Sequence, residues 1–374
     1  MKIYLNNFEG DLPLTLDVVY ESVSATPERP NELSGPNFDA EFELRRANFE
    51  RLFAQNFNLA SKWSQEHIAF AQEALSNAVG GMAYFHGHSR VQRASDHGDD
   101  YPVVNSWETP LFTGVPSRSF FPRGFLWDEG FHQLLISRFN PTLSLDAICH
   151  WLDLLNQDGW IPREQILDDE ARSRVPNEFI VQRNNRANPP TLFLALDQLI
   201  DEGHVKNGEL SAIYPRLVSW FNWFNTTQTG PLPSTYAWQG RDLNDYELNP
   251  KSLSSGLDDY PRATHPTSDE YHLDLRCWMA LAAQVLGKIS LRLGKSNQPY
   301  LALETQLKDF ELLNKLHWDE RNKIYADYGH HSNNVVLKRI TYKDERGQVQ
   351  KRMVRKVLEQ PRNQFVNHRY GFGN

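Results

Sequence analysis

A chain of 374 residues is long enough for a large core and, by length alone, for about two domains. Its formal net charge of −8 argues against a nucleic-acid or anionic-membrane partner. Its two cysteines, Cys149 and Cys277, show no metal-ligand spacing and no disulfide framework, although a single bridge stays open.

The N-terminus, MKIYLNNFEGDLPL, lacks a basic-then-apolar signal pattern, and no apolar run reaches the roughly 18 residues of a membrane span. The polypeptide as written is therefore expected to be soluble and untargeted. Residues 11–22 carry a β-branched, partly alternating run that predicts one strand. Residues 25–38, with Pro27, Pro30, Pro36 and Gly35, form a linker. One strand cannot make a sheet, so this front portion is expected to be the trailing edge of a domain.

Helices are expected from about Phe42 onward. Phe42–Phe57 and Trp63–Val79 show apolar residues at i, i+3 and i+4, and Gly80-Gly81 ends the second. A third begins near Asp128, a fourth covers Leu143–Leu155, and Asn188-Pro189-Pro190 opens a fifth as N-cap and first turn. Ile213–Phe224, Thr267–Leu293 and Leu301–Trp318 follow, with short hairpin-like strands at Ile324–Tyr328 and Asn334–Tyr342. No internal repeat or low-complexity tract is present, and the basic run from Lys338 to Arg362 is expected to be a solvated face. The pairs His86/His88 and His330/His331 lack a third ligand nearby in sequence and predict no metal site. The sequon at Asn225 matters only in a secretory compartment.

Four loop stretches carry the chemistry. The first, FFPRGFLWDEGFHQLLI from Phe120 to Ile136, sets Phe121, Phe125 and Trp127 around Arg123 and Asp128. In the plain reading Asp128 sits at or next to an N-cap and the aromatic rings are core. In the sharper one the rings flank a fixed carboxylate at a pocket mouth, as sugar binding requires. The second, from Trp160 to Gln182, places Arg163 and Glu164 after Pro162, either as a loop ion pair or as a guanidinium that orients sugar hydroxyls. The third, SLSSGLDDYPR, delivers Asp258 and Asp259 from a Ser/Gly loop, with Pro261 keeping helix away from Tyr260. An Asx-turn is the plain alternative.

The fourth stretch, TSDEYHLDLRCW from Thr267 to Trp278, offers Thr267 and Glu270 as a capping box. It puts Glu270, Asp274, Cys277 and Trp278 on one helix face. Asp274, on a helix apolar nearly all round, needs a partner or a wet cavity.

Together these four stretches resemble the signature of the processing α-glucosidase I group within glycoside hydrolase family sixty-three. The resemblance runs from about Asn6 to Val366 and implies an (α/α)6 toroid of twelve helices preceded by a β-sandwich domain. Only seven or eight helices are counted here. The expectation is thus an all-α, incomplete toroid over residues 36–374, behind a β-domain remnant over 1–35.

The resemblance also implies an inverting exo-α-glucosidase of the endoplasmic reticulum lumen. Its substrate would be the terminal α-1,2-linked glucose of the N-linked oligosaccharide on nascent glycoproteins. Asp258 would be the general acid; Phe121, Arg123, Trp127, Asp128 and Arg163 would line the glucose subsite, with Glu270 and Asp274 below it. No metal or organic cofactor is called for. The family's catalytic base is a Glu downstream of a Trp-rich segment that does not occur here, its membrane anchor is likewise missing, and the tail from Asn367 leaves the family pattern. An inactive truncated fragment, or a glycan-binding remnant lacking the catalytic base, is the competing expectation. Tyr271 stands where the family usually has Arg, so a polar contact from that position is not expected.

Overall fold

A computed structural model of the chain describes residues 18–19, 33–94, 101–241, 243, 247–343 and 347–366. Apart from Val18 and Val19, the strand expected over 11–22 lies outside those residues, as do most of the linker and the tail from Asn367. The chain divides into two compact units, Met1–Gln72 and Glu73–Asn374. In the first, helix α1 covers Gly35–Phe57, starting earlier than expected because Pro36 sits in the first turn, where a missing N–H costs nothing. Phe53 is its buried residue. Helix α2, Gln65–Gly80, contains the division point.

The second unit holds α3 (Leu126–Phe139), α4 (Pro141–Asp153), the short α5 (Asp169–Ser173) and α6 (Asn177–Ile180), and α7 (Leu192–Asp201). It continues with α8 (Asn207–Thr227), α9 (Leu273–Arg292), α10 (Gln298–Lys308) and α11 (Phe310–His317). Helix α3 packs on α4 and α7, α8 packs on α9, and α9 packs on α10. Between them Trp151, Phe193, Trp220, Phe224 and Trp238 form a continuous buried aromatic core. No helix among the described residues is long and apolar enough to cross a membrane.

The all-α expectation is corrected. Thirteen short strands build six small sheets among the described residues, so the fold is helix-dominated with interspersed strands. Met82–Gly87 pairs antiparallel with Thr109–Gly114, and Val335–Lys343 pairs with Val349–Val357 as an exposed ribbon. Arg90–Gln92 lies between Val104–Asn105 and a parallel neighbour, Val181–Arg183. Most of these strands run for two to six residues and pair across long sequence separations, too short to show a period-two pattern.

Other helix boundaries also differ from expectation, α8 beginning six residues before Ile213. The helix expected over Leu301–Trp318 is two, because the Asp309 carboxylate accepts from the Leu312 N–H at 2.6 Å and starts a new helix there. Helix α9 begins at Leu273, not Thr267. Tyr271 is held extended by paired backbone bonds with Tyr328, on whose ring it stacks at 5.1 Å, so the capping box cannot close. The Thr267 hydroxyl accepts from the Asp269 N–H instead. Helix α7 begins at Leu192 with Thr191 as N-cap, so Asn188 caps nothing. Cys149 and Cys277 are both free thiols.

Phe193 stacks nearly parallel on Trp220 at 5.4 Å and is 1% exposed. Truncating it to Ala is expected to cost about 3–5 kcal/mol in denaturant unfolding, whereas Leu291→Ala, on an exposed position of α9, should stay within about 0.5 kcal/mol.

Candidate active site

A two-residue sheet brings the first two motif stretches together. Gly124 pairs with Gln165 and Phe125 with Glu164, and the Leu126 N–H donates to the Arg163 carbonyl at 2.9 Å. Gly124 is required there, since a Cβ would lie 2.9 Å from the Trp151 ring. Across this pairing the buried Glu164 accepts from Arg123 Nε and Nη2 at 3.0 and 2.9 Å. Its other oxygen meets Arg163 Nη2 at 2.9 Å. The Arg123 guanidinium also lies over the Phe125 ring at 4.6 Å and the Phe121 ring at 5.6 Å.

Next to this hub α3 is anchored by a second buried carboxylate. Glu129 accepts from the Thr113 hydroxyl and the Gly114 N–H, both at 2.9 Å, and from Gln133 Nε2 at 2.7 Å. The first turn of α3 thereby presents Trp127 and Asp128 to one side. Asp128 is the third residue of the helix and not its N-cap, which is Phe125. Burial lifts the Asp128 carboxyl above its usual range, with His132 pulling against the shift.

The acid loop arrives from the third stretch. Leu253–Ser255 form one turn of 3-10 helix, and Gly256 follows in the left-handed region at φ 73°. Gly256 rests on the face of Trp127, and a Cβ there would lie 2.5 Å from the indole. Both conditions exclude other residues. Two residues on, Asp258 stands at the open rim of the cavity. Desolvation against the wall lifts its carboxyl; Arg163 opposes this, while Asp259 and Glu164 reinforce it.

These elements enclose a cavity of about 250 Å³. Phe121, Phe125 and Trp127 supply apolar faces, and Asp128, Arg163, Asn188 and Asp258 supply the polar groups. Of the expected site residues, the structure brings Phe121, Trp127, Asp128, Arg163 and Asp258 together around it. Arg123 is buried behind the wall and acts on the cavity through Glu164 and the two Phe rings.

Glu270 and Asp274 do not line this cavity. Glu270 precedes α9, so the expected shared helix face with Asp274 is corrected. It lies on a larger polar cavity of about 540 Å³, with Arg183, Arg186 and Gln239. There it pairs with the buried Arg241; against the burial that opposes ionisation, His272 and Arg241 hold its carboxyl below the usual range. Asp274 has its partners: Arg262 donates to both its oxygens at 3.1 and 2.7 Å, and Trp238 Nε1 donates at 2.9 Å. Arg262 also reaches Asp327 at 2.8 Å. Tyr271 is buried, with its ring stacked on Tyr328 and edge-on to His317. Phe125, one of the expected flanking rings, lines the cavity too, and Asn188 and Gly256 belong to it without having been expected there; only Gly256, in a Ser/Gly loop before two acids, carried a local signal.

No group of three or more His, Cys, Asp or Glu side chains suited to a metal ion occurs among the described residues. An acid held toward its protonated form, beside aromatic faces and hydroxyl-orienting charges, is the equipment of a glycoside hydrolase. Residues 33–374 match the C-terminal domain of glycosyl hydrolase family 63, and the chain belongs to that family.

Among similar proteins, mannosyl-oligosaccharide glucosidase GCS1 of Arabidopsis thaliana is 43% identical over 98% of this chain and 46% of its own length. Alpha-glucosidase 2 of the same plant is 39% identical over 98% of this chain and 49% of its own. The mannosyl-oligosaccharide glucosidase of Saccharomyces cerevisiae is 33% identical over 69% of this chain and 37% of its own. The chain thus spans about half the length, or less, of the curated relatives it matches. A crystal structure of the family-63 mannosylglycerate hydrolase from Thermus thermophilus, in complex with Tris and D-glycerate, aligns with a TM-score of 0.44 at 12% identity. That alignment covers 57% of this chain and 63% of that one, and the likeness is carried no further.

Because the folded-state pKa of Asp128 is raised, its ionised form costs stability, and that cost is absent below the unfolded pKa, about 4. Asp128→Asn is therefore expected to match wild type in thermal midpoint at acid pH and to equal or exceed it at neutral pH. Glycan turnover should nevertheless be lost. A lower midpoint at neutral pH with full activity would return Asp128 to a purely structural role.

Proposed function

We propose that this chain supplies the acid and the glucose subsite of an inverting exo-α-glucosidase. Its substrate would be the terminal α-1,2-linked glucose of the N-glycan precursor, in the lumen of the endoplasmic reticulum. The observation that carries this is the 250 Å³ cavity, where Asp258 faces Trp127, Asp128 and Arg163. The names of the relatives supply the substrate class, mannosyl-oligosaccharide. The helices of the second unit are taken to be part of an (α/α)6 toroid, with the cavity at its loop end.

In this reading the terminal glucose lays its apolar faces against Phe121, Phe125 and Trp127, and Asp128 and Arg163 take its hydroxyls. Protonated Asp258 gives its proton to the glycosidic oxygen as the C–O bond breaks. A water molecule attacks the anomeric carbon from the opposite face, losing its proton to a second carboxylate, and β-glucose is released. Four of the nearby carboxylates are already committed: Glu164 to two arginines, Glu129 to three donors, Glu270 to Arg241 and Asp274 to Arg262. With Asp128 placed on the sugar hydroxyls in this reading, none of these carboxylates is assigned as the base.

The test is Asp258→Asn in the full-length protein, assayed on the natural glycan and on α-glucosyl fluoride, whose leaving group needs no proton. The expected outcome is an unchanged fold, a loss of about 10²–10⁴-fold on the glycan and far less on the fluoride. Proton NMR of early product should show β-glucose. Near-normal glycan turnover would move the acid role elsewhere, and α-glucose as first product would exclude inversion.

A further inference from the structure

The segment Asn188–Thr191, Asn-Pro-Pro-Thr, is buried throughout and joins the two halves of the cavity. At one end, Asn188 Nδ2 donates to the Leu253 carbonyl at 3.3 Å and the Ser254 carbonyl at 3.2 Å. Both partners are pure acceptors, so the amide can face them only with its nitrogen. These carbonyls belong to the 3-10 turn that leads through Gly256 to Asp258. At the other end, the Thr191 hydroxyl donates to the Trp127 carbonyl at 2.7 Å, in the first turn of α3. Gly130 brings α3 so close that a Cβ would overlap Thr191 at 2.3 Å. Between the two ends, Pro189 and Pro190 have fixed φ and no N–H to give elsewhere.

Asn188 Oδ1 is buried and has no hydrogen-bond partner among the described residues. A side chain kept only for packing would not leave a buried acceptor unsatisfied, because an apolar residue of like shape avoids that cost. What the amide provides is the pair of bonds to the acid turn.

We propose that Asn188–Thr191 is the strut that sets the acid against the sugar-holding end of α3, with Asn188 the positioning residue for Asp258. This rests on the reading of Asp258 as general acid. Without the Nδ2 bonds the 3-10 turn is released on that side, and Asp258 loses alignment with the leaving oxygen. Phe121, Trp127 and Arg163 keep anchors of their own outside the turn, so the larger loss falls on the step that needs the acid's proton.

The experiment uses the full-length protein with Asn188→Ala and Asn188→Asp; the second keeps the shape but cannot donate as the carboxylate. Each is assayed on the glycan and on α-glucosyl fluoride, with thermal midpoints recorded and Asp258→Asn alongside. The expected result is a fall of about ten- to a hundredfold in kcat on the glycan, with a fall on the fluoride at least about fivefold smaller. Asn188→Asp, the closer match in shape, serves if Asn188→Ala does not fold. Equal losses on both substrates, or no loss on either, would overturn the proposal. If Asp258→Asn itself fails to separate them, it is the acid assignment that falls.

Discussion

Glu164 is a carboxylate with a 4% exposed side chain, and two guanidinium groups meet on it from adjoining stretches of chain. Taking such a charge out of water is costly, and a buried ion pair is often no more stabilising than apolar residues of the same shape. Its effect is on geometry. With Glu164 fixed by the pairing of residues 124–125 with 164–165, Arg163 is aimed at the cavity and Arg123 is seated beneath Phe121 and Phe125. Removing Glu164 leaves two guanidinium groups without their counter-charge, a loss of about 3–5 kcal/mol, whereas removing either arginine leaves the other still paired. The aromatic platform and the charge that faces it therefore stand or fall together.

The same device recurs on the other side of the acid loop. Arg262 bridges Asp274 and Asp327, and Arg241 holds Glu270 while donating to the Ala263 carbonyl at 2.8 Å. Ser254 ties the 3-10 turn to this region through the Gln239 carbonyl at 2.7 Å. Asp258 is thus suspended between two rigid polar networks while its own carboxyl stays at the rim, lifted toward its protonated form. The charges meant to stay ionised are matched with guanidinium groups at hydrogen-bond distance. The carboxyl proposed as proton donor instead stands exposed at the rim, raised by partial desolvation as the Asp128 carboxyl is.

Much of this was legible in the sequence, for identifiable reasons. The long helices announced themselves because apolar residues recur with their period, and the pair Asp258 and Asp259 because two acids follow a Ser/Gly loop and precede a proline; the choice of Asp258 between them came from the family resemblance. Strands were legible near residues 324–342, but those that build the site were not: Gly124–Phe125 and Glu164–Gln165 are two residues each and meet across about 40 positions. Glu270 shows how a local rule is overridden. Thr267-Ser-Asp-Glu270 has capping-box spacing, yet the bridge between Tyr271 and Tyr328 and the pull of Arg241 draw the segment out of the helix. Asn188 shows the converse: it matched an N-cap by position, and its side chain is spent on a turn 65 residues away. No local pattern carries that information.

The most direct measurement is a crystal structure of the Asp258→Asn protein with an α-1,2-linked glucose disaccharide bound. The account places the terminal ring in the 250 Å³ cavity against Trp127 and Phe121, its hydroxyls on Asp128 and Arg163, and the glycosidic oxygen within hydrogen-bond reach of residue 258. A disaccharide seated instead in the larger polar cavity beside Arg186 and Glu270, with residue 258 out of reach, would contradict it.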